Sequence, residues 1–147
     1  MTTLLRTMAG QPVMTPQELQ EILDTSFPGT KVPYVITELS DTHVRMKLQV
    51  KGSDSRPGGT VSGPSLMAFA DCAAWMVIMG QIGPIDLSVT TSLHIDFLRK
   101  PEVVDVEAVA TLLKLGKRLA VAEVAMYSVG SEAVLAMALV TYSIPPR

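Results

Sequence analysis

Hydrophobic and polar positions along this chain change their period several times, and each change marks an element. From Thr15 to about Ser26, Leu19, Ile22 and Leu23 fall on one stripe at helical spacing. Thr15 is a fitting N-cap, with Pro16 at the first helical position and Glu18 three residues on, and Pro28-Gly29 ends the helix. Val32 to Leu39 and His43 to Val50 alternate instead, with Val44, Met46, Leu48 and Val50 set against Arg45, Lys47 and Gln49. This predicts two antiparallel strands turned at Ser40 to Thr42. Gly63 to Ile82 keeps to neither period, because apolar residues go all the way round a helix drawn through it. Such a helix is expected to be buried.

After the break at Gly83-Pro84, Leu87 to Leu98 alternates again. Val89, Thr91, Leu93, Ile95 and Phe97 share one face; Ser88, Thr90, Ser92, His94 and Asp96 share the other. Three more strands are expected at about Val103 to Leu115, Arg118 to Ser128 and Ala133 to Ile144, turned at Gly116-Lys117 and Gly130-Ser131. The prediction is an α+β single domain over 1–147: a five- or six-stranded antiparallel sheet wrapped around one long central helix, plus a short N-terminal helix. Residues 1–14 read as a loose arm. Lys51 to Val61 is the one long irregular connection, and it feeds the central helix. Ala133 to Val140 is apolar on both faces, which predicts a second layer or a subunit contact and hence a homodimer or homotetramer.

Composition narrows the partners. At 147 residues and 48% apolar the chain can bury a sizeable core, and a net charge of −2 leaves no footprint for nucleic acid. The central run approaches the roughly 20 residues that span a bilayer, but Asp71 sits within it and basic anchors are missing from its flanks, so no membrane is expected. The single cysteine, Cys72, reads as inert core, and a cytoplasmic location is the default. No His, Cys or carboxylate cluster has metal spacing, and His43 and His94 read as surface residues.

Asp71 is the anomaly. It is the only ionisable carboxylate or base between Pro57 and Ile85, carried on the most apolar helix. A buried charge there needs partners or a function. The segments RPGGTVSGPSLMAFAD, VTTSLHIDFLRKP and LLKLGKRLAVAEV resemble the PaaI-like group of hotdog-fold acyl-CoA thioesterases, in the 4-hydroxybenzoyl-CoA thioesterase superfamily, over about Lys31 to the end. The resemblance implies hydrolysis of an acyl-CoA thioester, with Asp71 as the catalytic carboxylate and the Gly63 N–H directed at the thioester carbonyl. The family's His-Gly-Gly triplet falls on Ser62-Gly63-Pro64, its Asn or Gln on Arg56, and its strand hydroxyl on Thr90, with Thr91 the fallback. No cofactor is implied, since coenzyme A is part of the substrate.

The chemistry fits that resemblance. Thioester hydrolysis builds negative charge on the carbonyl oxygen, and a helix start presents unpaired N–H groups and a positive dipole end. A carboxylate kept from water is a stronger base than one in bulk solvent, so Asp71 is read as a base towards water or as a nucleophile. Gly63 and Asp71 are eight residues apart, about 12 Å along a helix axis, which predicts that one copy supplies Gly63 and its partner Asp71. Ser62 doubles as an N-cap. Arg99, Lys100, Lys117 and Arg118 are the candidate rim for CoA phosphates, with an ordinary solvated edge as the competing reading. Arg56 either contacts the thioester or CoA, or is simply solvated. Two other functions remain open, a non-catalytic acyl-CoA binding module and a hydratase or dehydratase on the same fold, and the acyl group is not specified.

Overall fold

The computed structural model describes residues 12–26, 32–56, 58–85 and 88–146, apart from the side chains of Ser53 and Arg56. Helix α1 is Pro16–Ser26. Its start is a reciprocal capping box, in which Glu18 N donates to Thr15 Oγ1 at 3.1 Å and Thr15 N donates to Glu18 Oε1 at 2.9 Å. Leu19 and Leu23 are fully buried, each contributing about 1.5–3 kcal/mol. The expected stop at Pro28-Gly29 lies outside the described residues.

Strands β1 (Tyr34–Leu39) and β2 (His43–Leu48) form the expected hairpin. The connection that follows is more ordered than expected. It holds a single 3-10 turn at Gly52–Asp54 and a miniature hairpin, β3 (Ser55–Arg56) with β4 (Thr60–Val61). Gly58 and Gly59 turn it at φ of 102° and 73°, where a side chain would be strained. The central helix α2 is Gly63–Ile82, stopped by Gly83 at φ 94°, whose N–H reaches the Met79 carbonyl. Then come β5 (Val89–Phe97), β6 (Val106–Leu115), β7 (Leu119–Ser128) and β8 (Ala136–Ser143).

The six long strands make one antiparallel sheet in the order β1-β2-β6-β7-β8-β5, the hotdog arrangement. The inward alternation of Ala136, Ala138, Val140 and Tyr142 on β8, with Ala120, Ala122, Val124 and Met126 on β7, supplies a floor of mostly small side chains on which α2 lies. That burial accounts for the apolarity of α2. It is not buried all round, however. Its C-terminal half is closed over by α1, by Leu39 and by the segment before α1: Val13 N donates to the Gly80 carbonyl, and a Cβ on Gly80 would lie 2.9 Å from Leu39 Cδ1. Its N-terminal half has no such cover. Pro64, Met67 and Ala68 are exposed, and Asp71, Cys72 and Trp75 half-buried, along one stripe at i, i+3, i+4 spacing.

Register also departs from the expected alternation. Thr90 pairs with Tyr142 but Ser92 pairs with Thr141, so Thr91 is the extra residue of a β-bulge. The bulge moves Thr90 onto the face of Leu93, Ile95 and Phe97, from which strict alternation had excluded it. The last strand starts at Ala136 rather than Ala133, and just before it the Leu135 carbonyl accepts from both Leu98 N and Arg99 N.

Candidate functional site

The start of α2 is built by two serines and an acid. Ser62 Oγ accepts from Ser65 N at 3.2 Å and donates to Ser65 Oγ at 2.9 Å, while Ser65 Oγ donates to Asp54 Oδ1 at 3.0 Å. Asp54 also receives Lys51 N on Oδ2, and its carbonyl receives Ser62 N at 2.6 Å. Leu66 N bonds the Ser62 carbonyl, and Pro64 has no N–H. The Gly63 N–H is therefore the one first-turn donor that neither the helix nor its cap consumes, among the described residues. Phe97, at the far end of β5, stacks beside it: a Cβ on Gly63 would lie 3.4 Å from Phe97 Cζ. A cleft of about 730 Å³ opens here, with Gly63, Pro64, Phe97, Arg99 and Lys100 on its walls.

Asp71 lies two turns further along α2, at the other end of β5. Its Oδ1 accepts from Thr90 Oγ1 at 2.6 Å and from Tyr142 Oη at 2.8 Å. Thr91, in the bulge, makes no such bond. Asp71 is half-buried rather than sunk in the driest part of the core, and it lines a mostly apolar cavity of about 430 Å³. Tyr142 lines it too, and Val32, Pro33, Tyr34, Ala68, Cys72 and Trp75 complete the walls. Tyr34 stacks on Phe69 with ring centroids 5.3 Å apart. Burial pushes the Tyr34 phenol up to about 12, and burial followed by the Asp71 charge pushes the Cys72 thiol up to about 12. Cys72 is thus a neutral wall residue, as an inert cysteine should be, although at the edge of the core rather than within it.

The remaining expected residues are separated. Arg99 and Lys100 stand at the Phe97 end of β5, where Arg99 Nη1 donates to the Val134 carbonyl at 2.6 Å. Lys117 and Arg118 occupy the β6–β7 turn at the Val89 end, since Leu119, Ser143 and Val89 are in register. One chain does not gather these four into one rim. Arg56 backbone pairs with Thr60 in the miniature hairpin, and its side chain lies outside the description. His43 is tied to Ser40 and Glu38 at the β1–β2 turn, where its hydrogen bond holds Glu38 below the usual carboxylate range. His94 pairs with Asp96 at the surface. Among the described residues no cluster of His, Cys, Asp or Glu is arranged for a metal ion.

Two participants escaped the sequence reading. Tyr142 continues the inward alternation of β8, and a phenol among alanines and valines needs a partner for its hydroxyl, which was the available signal. Asp54 stands in a Ser-rich loop with no periodic pattern, and only its place upstream of a helix start hinted at its use.

Comparison with known proteins names the architecture. A sequence profile described as the thioesterase superfamily matches residues 58–134, which include the helix start, Asp71 and β5 through β7. The chain belongs to the thioesterase superfamily. The structure of a candidate thioesterase from Silicibacter sp. TM1040 is 40% identical, covering 92% of this chain and 95% of that one with a TM-score of 0.85. Two others share the fold at lower identity. Zebrafish thioesterase superfamily member 2 is 20% identical over 90% of this chain and 99% of its own, with a TM-score of 0.79. A thioesterase from Haemophilus influenzae is 16% identical over 93% and 94%, with a TM-score of 0.80. No curated protein sequence matches the chain. Thioester hydrolysis is the activity that this superfamily membership supports.

Proposed function

We propose that this thioesterase-superfamily protein hydrolyses acyl-CoA thioesters at sites shared by two copies of the chain, with no cofactor beyond the CoA of the substrate. The observation that carries the proposal is the Asp71 carboxylate, held on one oxygen by two hydroxyls at the wall of an apolar cavity sized for an acyl group. In this reading Asp71 activates water or attacks the thioester, and the acyl group occupies the cavity beside Trp75 and Tyr34. The Gly63 N–H stabilises the oxyanion, an interaction commonly worth about 3 kcal/mol in the transition state.

Two copies are needed because Gly63 and Asp71 stand about 12 Å apart on one helix axis. Antiparallel pairing of β5 with β5 of a second copy would set the Phe97 end of one against the Val89 end of the other. That brings Gly63 of one copy towards Asp71 of its partner, and Arg99 and Lys100 of one towards Lys117 and Arg118 of the other. The CoA phosphates would then meet four basic side chains. The uncovered stripe through Met67 and Trp75 is the helix face that such a partner would bury.

Thiol release from acetyl, medium-chain, phenylacetyl and benzoyl CoA tests the proposal, with wild type beside Asp71→Asn. Turnover by wild type, reduced about a hundredfold or more in a folded variant, is the expected result. Binding of CoA thioesters without turnover on any of them would replace the enzyme with an acyl-CoA binding module.

A further inference from the structure

The hydroxyls on Asp71 come from two very different strands. Thr90 belongs to β5, an edge strand of the sheet, and is itself exposed. Tyr142 belongs to β8, hydrogen-bonded on both sides, and is only 5% exposed. Both donate to Oδ1, which fills that oxygen, and among the described residues no donor reaches Oδ2. Tyr142 Oη also lies 3.1 Å from the Asp71 carbonyl, but it has one proton, and the shorter contact is to the charged oxygen.

We infer that Tyr142 is a positioning residue for the proposed reaction: its phenol fixes the Asp71 side chain so that Oδ2 is the oxygen presented to the cavity. The inference rests on Asp71 being the working carboxylate. Thr90 supports the same oxygen, but from a strand whose own position depends on what lies beside it. Tyr142 anchors the carboxylate to the interior of the sheet and keeps it set whether or not β5 shifts.

The neighbouring titratable groups leave this arrangement intact across neutral pH. They are Cys72 on α2 itself, Tyr34 on β1 and Tyr142 on β8. Burial raises all three well above neutrality; for Tyr142 a hydrogen bond with Thr90 opposes that rise in part, and the Asp71 charge adds to it. Tyr142 therefore stays a donor throughout an assay range of acid to mildly alkaline pH.

Tyr142→Phe keeps the ring and removes the donor. Losing a hydrogen bond to the charged form disfavours that form, so the acid limb of kcat/KM should move to higher pH by about one unit. On the plateau kcat should fall about tenfold, while KM changes less than about twofold, because orientation and not binding is lost. Carbon-13 labelling of aspartate carboxyls gives a second readout that needs no turnover, with the Asp71 signal identified by its absence in Asp71→Asn. Its titration midpoint should rise in Tyr142→Phe by the same amount as the kinetic limb. An unmoved midpoint and an unmoved limb, with only thermal stability lowered, would reduce Tyr142 to a packing residue. If Asp71→Asn retained full turnover, the proposed role of Asp71 would fall and Tyr142 would lose its part with it. If Asp71→Asn were inactive and Tyr142→Phe kept the wild-type profile, Asp71 would stand and only the inference about Tyr142 would fall.

Discussion

The sheet has two edges, and they are treated in opposite ways. At β1 the side chain of Gln20 from α1 lies against the strand like a short length of neighbouring backbone: its Nε2 donates to the Tyr34 carbonyl at 3.0 Å and its Oε1 accepts from Ile36 N at 2.8 Å. A bulge between Ile36 and Glu38 further disturbs that edge. At β5 nothing among the described residues covers the free side of a nine-residue strand. Val89 is 59% exposed, Phe97 49% and Leu98 53%. Open, apolar edges invite pairing and are normally blunted. Blocking one edge with a dedicated amide while the other stays open agrees with the pairing proposed at β5. The proposed partner at β5 is a second copy, and the proposed site would straddle that boundary.

The largest effect should come from closing the open edge with charge. Val89→Lys together with Leu98→Lys places like charges against each other across a two-fold pairing. Sedimentation should show monomers, circular dichroism an unchanged fold, and thiol release a loss of about a hundredfold. The matching change at the blocked edge, Val35→Lys, should leave assembly and turnover as they were. Retained turnover by a monomeric β5 variant would mean that the open edge plays no part in the site.

Mixing two inactive variants tests the shared site directly. Gly63→Pro removes the proposed oxyanion donor and Asp71→Asn the carboxylate. Each homodimer would lack activity, but a mixed dimer would have one site with both defects and one with neither. Random re-association should recover about a quarter of wild-type turnover. No recovery, with mixed dimers present by native mass spectrometry, would place both groups in the same chain's site.

The smallest effect concerns the blocked edge itself. Gln20→Ala strips the amide from β1 and should cost about 1–2 kcal/mol in urea unfolding, since two backbone groups lose partners. Light scattering should rise with concentration as the freed edge finds other chains.

Much of the architecture was legible because it follows local rules. Thr15, Pro16 and Glu18 announce α1, alternation from Val44 to Leu48 announces β2, and Gly83 stops α2. What escaped the reading depends on contacts distant in sequence. The apolar circumference of α2 does not say which part of it the sheet and α1 cover, so Met67 and Ala68 were expected inside and lie outside. For the site, Asp71 stood out as a charge in apolar company, and Thr90 came from resemblance and is in contact with it. Tyr142, 71 residues from Asp71, became a partner only through strand register.

A strand is read in steps of two, and Thr91 is a frameshift in that reading. Everything from Ser92 onward keeps its own in-and-out order, while Thr90 is advanced by one step and turned towards the helix. Drawing Thr91 into the ladder, with no bulge, would restore an unbroken alternation and make a more regular strand. It would also turn the hydroxyl at position 90 away from Asp71. With Thr91 present, regularity in β5 and the Thr90 contact to that carboxylate are therefore mutually exclusive, and the chain retains the irregular strand.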